Sequence, residues 1–182
     1  MYARQKVGMV CPGHLGGTEA HVAFAYNTIF APVQNACYSV VDVPIKFPSG
    51  IGRDLRGLDD RPVAGYPINS TVYAIDASNN KIKWEYFIPT GFQATHMTVS
   101  GGVVYAIDRS GTLHMLDADS GKVLKKVNFG GLGQDGVTVA ANKDGEMLIL
   151  AVTGGPRSRY CAWSVKASPR EGCHQRGDEG SL

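Results

Sequence analysis

Val72–Trp84 reads VYAIDASNNKIKW, and Leu113–Lys125, 41 residues further on, reads LHMLDADSGKVLK. Each stretch opens with a short apolar run and reaches an aspartate, Asp76 or Asp117. A polar turn and a lysine follow, Lys81 or Lys122, and then a second run of strand character. An aspartate there can accept backbone N–H groups within the turn. Gly121 suits a backbone with positive φ. Both stretches therefore read as β-hairpins with one turn chemistry, and their recurrence asks for a repeat architecture.

Apolar residues elsewhere alternate with period two and almost never with helical spacing. In GGVVYAIDRSG, Val103, Tyr105 and Ile107 point to one face, and Val104, Ala106 and Asp108 to the other. Strands are expected at Gln93–Val99, from Val103, at Thr112–Leu116 and at Val123–Phe129, which makes one four-stranded antiparallel unit over 93–129. A second unit, 18–88, has strands Ala20–Phe24, Asn27–Val33, Thr71–Ile75 and Ile82–Phe87, interrupted by a Pro/Gly-rich insertion at 36–69. A third, partial unit at 134–154 has Val137–Ala141 and Glu146–Thr153. The remainder, 155–182, shows no strand pattern and reads as an irregular or disordered tail, as a frameshift near Gly155 would leave it. Four-stranded sheets recurring at about 40 residues mark a β-propeller. The fold class is all-β, a partial β-propeller of about two and a half blades. Each blade has two apolar faces and must stack on neighbours to bury them. Trp84 ends an outer strand, where its ring can cover the next blade; Lys125 takes its place in the second copy.

The chain has 182 residues and a net charge of +2. Residues 1–154 hold 13 basic and 13 acidic residues, so the excess lies in the tail. A neutral body gives no case for nucleic acid. No apolar run is long enough to span a membrane, and the start shows no secretory signal. Four cysteines, Cys11, Cys37, Cys161 and Cys173, include no CxxC, which disfavours a zinc ribbon. Cys161, Cys173 and His174 fit no metal-ligand spacing. His14 and His96 read as structural, without a matched carboxylate or cysteine partner.

Ala74-Ile75-Asp76-Ala77-Ser78-Asn79-Asn80-Lys81-Ile82-Lys83-Trp84 resembles the outer-strand motif Ala-x-Asp-x-x-Thr-Gly-Lys-x-x-Trp of the quinoprotein alcohol dehydrogenases, propellers that use pyrroloquinoline quinone (PQQ). Met115–Lys122 resembles it too. CPGHLGGTEAHVAFAYNTIFAPVQNAC resembles that family's Cys-Pro-Gly…Gly-Gly-x-x-Trp-Asn…Tyr-x-Pro…Cys segment, and GEMLILAVTGG its last-blade strand. The resemblance covers about residues 9–155. It implies an eight-bladed propeller with calcium or a lanthanide beside PQQ, oxidising a small alcohol in the periplasm or outside the cell. The chain looks like its C-terminal third. The family's metal-binding Glu and Asn, its Asp base and its adjacent-cysteine disulfide lie in earlier blades, so no catalytic or metal residue is assigned here. Asp76, Asp117, Asp119, Asp135 and Asp144 are expected in outer turns, as solvated acids. Cofactor contacts fall by position to Glu19, His21 and Gln93, with a structural role for each as the alternative; Ala20-His21 replaces the family's Trp-Asn pair. The resemblance also implies a Cys11–Cys37 disulfide. It would close a loop of about 27 residues, stabilise by roughly 3–4 kcal/mol and require an oxidising compartment; two reduced thiols are the alternative. Asp76, Trp84, Asp117 and Gly121 carry the blade motif structurally.

Two functions follow. The chain is either a fragment of a PQQ-dependent alcohol dehydrogenase-like protein, inactive without its remaining blades or a companion chain, or a non-catalytic propeller piece that binds a protein partner. Self-association is a third outcome, because open blades expose sheet faces and edges.

Overall fold

A computed structural model describes residues 6–10, 18, 21–41, 43–45, 55–57, 65, 68–91, 96–154, 159–164 and 173–175. Among the described residues every regular element is a β-strand. The first four-stranded sheet is built from β2 (Ala23–Ala25), β3 (Thr28–Asn35), β7 (Asn69–Asp76) and β8 (Ile82–Ile88), in that spatial order. β3 pairs with β7 over its whole length, from Thr28↔Asp76 to Asn35↔Asn69. The intervening segment therefore leaves and rejoins the sheet without disturbing it. Two small two-stranded pieces lie outside the blades. One pairs β1 (Lys6–Val10) with β4 (Tyr38–Val41), and the other pairs β5 (Val43–Ile45) with β6 (Leu55–Gly57).

The second sheet holds β9 (Thr98–Ser100), β10 (Val103–Ile107), β11 (Thr112–Asp117) and β12 (Val123–Asn128), each paired with its sequence neighbour. Its first strand is shorter than the Gln93–Val99 expected, and Gln93 lies outside the described residues. The third sheet runs β13 (Leu132–Ala141), β14 (Met147–Gly154), β15 (Arg159–Ser164) and β16 (Cys173–Gln175).

The third sheet corrects two expectations. Residues 155–182 do not form a wholly irregular tail, and the blade at 134–154 is not partial. β15 pairs with β14 from Leu148↔Ser164 to Thr153↔Arg159, and β16 completes the sheet. Tyr160-Cys161-Ala162-Trp163 is aromatic-rich strand material. Its unbroken apolar run, without period-two alternation and between Arg/Ser-rich flanks, hides it from a periodicity reading, while β14 offers it an open edge to pair with. Asp135 is a further correction: it lies within β13 and not in an outer turn.

The sheets stack face to face. Phe30, Val72, Ala74, Trp84 and Ile88 of the first meet Met97, Val104, Ala106, Leu116 and Ala118 on one face of the second. Tyr105, Ile107, Leu113, Met115, Val127 and Phe129 on its other face meet Val137, Ile149 and Ala151 of the third. The alternation in Val103–Ile107 thus divides one strand between two cores, which is why nearly every residue of it is buried. β9 lies beside both β2 and β13, so the first strands of the three sheets come together along one side. This is an open, partial β-propeller.

Turn chemistry fixes the hairpins. Tyr26 and Asn27, between β2 and β3, have φ of 53° and 54°; Gly101 and Gly102, between β9 and β10, have 58° and 75°. Paired positive φ values match the twist of two-residue hairpins. Each such turn then receives the turn of the next hairpin in its own blade. The Ala77 N–H donates to the Asn27 carbonyl at 3.0 Å, and the Ala118 N–H to the Gly102 carbonyl at 2.9 Å.

Candidate functional site

The repeated aspartates do the same local work. Asp76 Oδ1 accepts from the Ser78 N–H at 2.8 Å and hydroxyl at 2.5 Å. Asp117 Oδ1 accepts from the Ser120 N–H at 2.8 Å and hydroxyl at 2.6 Å. Those serine hydrogen bonds hold both carboxyls below the usual carboxylate range. The turns close alike, with the Asp76 N–H on the Lys81 carbonyl and the Asp117 N–H on the Lys122 carbonyl, each at 2.8 Å. Asn80 and Gly121 occupy equivalent left-handed positions, φ 59° and 70°.

Trp84 spans the seam between the first two blades. Its Nε1 donates to the Ala118 carbonyl at 3.0 Å, and its ring covers the Asp117–Lys122 turn at Gly121. Phe30 tilts against it with ring centroids 5.8 Å apart. Lys125, the residue at that place in the next blade, is exposed on β12 opposite Met115.

A second link across the same seam escapes a periodicity reading. Tyr86 Oη of the first blade lies 3.1 Å from His114 Nδ1 of the second. His114 Nε2 lies 3.1 Å from Asp108 Oδ2. Both His114 and Asp108 side chains are nearly fully enclosed, 4% and 5% exposed. Asp108 also accepts from Thr90 Oγ1 at 2.8 Å, from the Ser110 N–H at 2.9 Å and hydroxyl at 2.6 Å, and from the Thr112 N–H at 3.0 Å. Burial pushes the Asp108 carboxyl up, but the donors His114, Ser110, Thr112 and Thr90 outweigh it and hold the group well below the usual range. An Nε2–H tautomer of His114 donates to Asp108 and leaves Nδ1 to accept from Tyr86, which satisfies every partner. The readable signal was a histidine inside the apolar strand Leu113–Leu116, a place where a polar side chain requires partners.

At the side where the first strands meet, His21 precedes β2 and His96 precedes β9. Their rings stack with centroids 4.1 Å apart and planes 18° from parallel. The His21 N–H donates to His96 Nδ1 at 3.4 Å. Gly136 of the third blade packs on the His96 backbone, where an added Cβ would come 2.7 Å from the carbonyl oxygen. Three blades therefore converge on this histidine pair, in which His96's partner is another histidine and not a carboxylate or a cysteine. Glu19 and Gln93, the other two positional candidates, lie outside the described residues.

PQQ with a metal, which the resemblance implies, needs converging oxygen or nitrogen donors beside the quinone. Among the described residues no three His, Cys, Asp or Glu side chains converge. Asp108 commits both carboxylate oxygens to turn and seam hydrogen bonds, and Asp76 and Asp117 each commit Oδ1 to their own turn. The described residues do not fit the metal half of that pair. Cys37 is disulfide-bonded. Cys11 lies outside the described residues; the register pair Val10↔Tyr38 stands one residue from each of them.

The superposition with solved structures settles the architecture. The quinohemoprotein alcohol dehydrogenase from Comamonas testosteroni matches at TM-score 0.67 and 17% identity, over 85% of this chain and 27% of that one. The chain has the quinoprotein propeller fold. A quinohemoprotein alcohol dehydrogenase from Pseudomonas putida HK5 shares this fold at TM-score 0.57 and 14% identity, over 75% of this chain and 22% of that one. A europium-containing methanol dehydrogenase shares it at TM-score 0.55 and 17% identity, over 94% of this chain and 27% of that one. The chain thus spans about a quarter of the length of these quinoprotein propellers. No protein-family model and no curated protein sequence matches it. Among the described residues no helix is long and apolar enough to cross a membrane.

Proposed function

We propose that the chain supplies C-terminal blades to a PQQ-dependent, alcohol dehydrogenase-like quinoprotein, whose reaction is oxidation of an alcohol with electrons passed to PQQ, and that it is inactive alone. The single observation that carries this reading is the stack of three four-stranded sheets superposing on part of two quinohemoprotein alcohol dehydrogenases. The Trp84–Ala118–Gly121 seam, built by the residues that resemble the family's outer-strand motif, supports it. The metal ligands, the base that takes the alcohol proton, and most of the PQQ cradle would come from the remaining blades, in the same polypeptide or in a companion chain. His21 and His96 are this chain's contribution to the axial side. The disulfide at Cys37 supports a periplasmic or extracellular setting, where such bonds persist, and the pairing we propose for it is Cys11.

The test is reconstitution with PQQ and calcium or a lanthanide, followed by dye-linked alcohol oxidation. The chain alone should show no turnover. Addition of a separately produced set of earlier blades should restore turnover, and failure of every such pairing would count against the reading.

A second reading, a non-catalytic propeller module that binds a protein partner, is favoured by one observation: Asp76, Asp108 and Asp117 hydrogen-bond within their own turns and seam. It predicts that alcohol oxidation never appears, whichever blades are added, and that a partner is retained without PQQ.

A further inference from the structure

The last blade ends in a strand of three residues, Cys173–Gln175. So short an edge strand gains little from its own ladder. Its register, however, sets Cys173 directly opposite Cys161 of β15 in an antiparallel pair, beside Tyr160↔His174 and Arg159↔Gln175. Residues directly opposite in an antiparallel ladder share one face and have Cα atoms about 4.5–5.5 Å apart, inside the Cα separation a disulfide accepts. The same chain holds a disulfide at Cys37, a kind of bond that persists in oxidising compartments.

We propose that Cys161 and Cys173 form a cross-strand disulfide that staples β16 to the outer edge of the third blade. In forming it, each thiol gives up its hydrogen, one S–S bond is made, and two protons and two electrons pass to a disulfide oxidant such as glutathione disulfide, which leaves as two thiols. The staple fixes where the blade's last strand sits, so the edge of β15 stays covered; reduction by a dithiol releases β16 and opens that edge to pairing with another strand.

The experiment uses the full chain, denatured without reductant, treated with iodoacetamide and digested with trypsin. The expected product is a linked pair of peptides, residues 160–166 (YCAWSVK) joined to 171–176 (EGCHQR), with neither cysteine alkylated. Alkylation of both, or linkage of either to Cys11 or Cys37, overturns the proposal. The staple's structural role is read by amide hydrogen exchange on native protein before and after mild reduction. Amides of β15 should lose protection by at least about tenfold, while those of β10 and β11 keep theirs. The Cys161→Ser/Cys173→Ser double variant should exchange like the reduced protein. Unchanged protection at β15 in both would overturn the staple.

Discussion

Trp84 and Gly121 are fitted to each other across two blades: a Cβ added at 121 would lie 2.6 Å from the indole Cδ2 and 2.7 Å from Cε3. The contact is possible because Gly121 adopts φ of 70° and carries no side chain. A turn residue and a strand residue of different blades are therefore parts of one joint. Gly121→Ala should destabilise by about 1–3 kcal/mol, from the left-handed backbone and the collision together. Trp84→Ala should cost about 3–5 kcal/mol. In the double variant the collision is gone, so the combined loss should fall short of the sum. Strict additivity in urea melts would show that the two sites do not share a joint.

Asp108 gives the fold an acid limit. Its folded-state pKa is depressed, so below neutrality the unfolded chain binds the proton more readily than the folded one. The stabilisation is fully present above the unfolded value of about 3.9 and is lost as pH falls toward the lower folded value. Asp108→Asn should lower stability at neutral pH by about 1–3 kcal/mol and flatten the decline of the urea midpoint between about pH 5 and pH 2. An equally steep decline in the variant would assign the acid limit to other carboxylates.

Tyr86→Phe tests the seam from its other side. The variant keeps the ring and removes only the hydroxyl that meets His114 Nδ1. The loss should be about 1 kcal/mol, and it should vanish in a His114→Phe background, provided that background remains folded. Equal losses in both backgrounds would place the hydroxyl's partner elsewhere.

The outward face of the first blade carries exposed apolar side chains around Glu85. Phe24, Phe87 and Ile82 are 65%, 59% and 58% exposed, and Ile29, Ile75 and Tyr73 lie half-buried along the same strands. Contiguous patches of this kind drive association. The chain alone should elute in gel filtration as oligomer or aggregate, and Phe24→Ser/Phe87→Thr should shift it toward monomer without lowering its melting temperature. A sharp monomer peak for the parent chain would contradict this.

Much of the architecture was legible because the informative residues are local. Val103–Ile107 alternates in the sequence and divides between two cores in space; Asp76 and Asp117 announce turns that depend only on their neighbours. Cross-blade relations were less legible. Nothing near Tyr86 in the chain indicates His114, and the stacking of His21 on His96 depends on two strands 75 residues apart arriving side by side. The last two strands are less legible for a related reason: residues 160–163 in β15 are an unbroken apolar run without period-two alternation, β16 has only three residues, and both are recognised as strands only once β14 offers an edge.

Asn80 stands where Gly121 stands, in the corresponding turn one blade earlier, but it carries a side chain. An indole lying flat on that turn would meet a Cβ atom in the space it needs. The joint that holds the first blade to the second therefore cannot be copied on the first blade's other side. A blade packed on that side would have to seat itself by a different fastening, so the first blade's two faces are not equivalent docking surfaces.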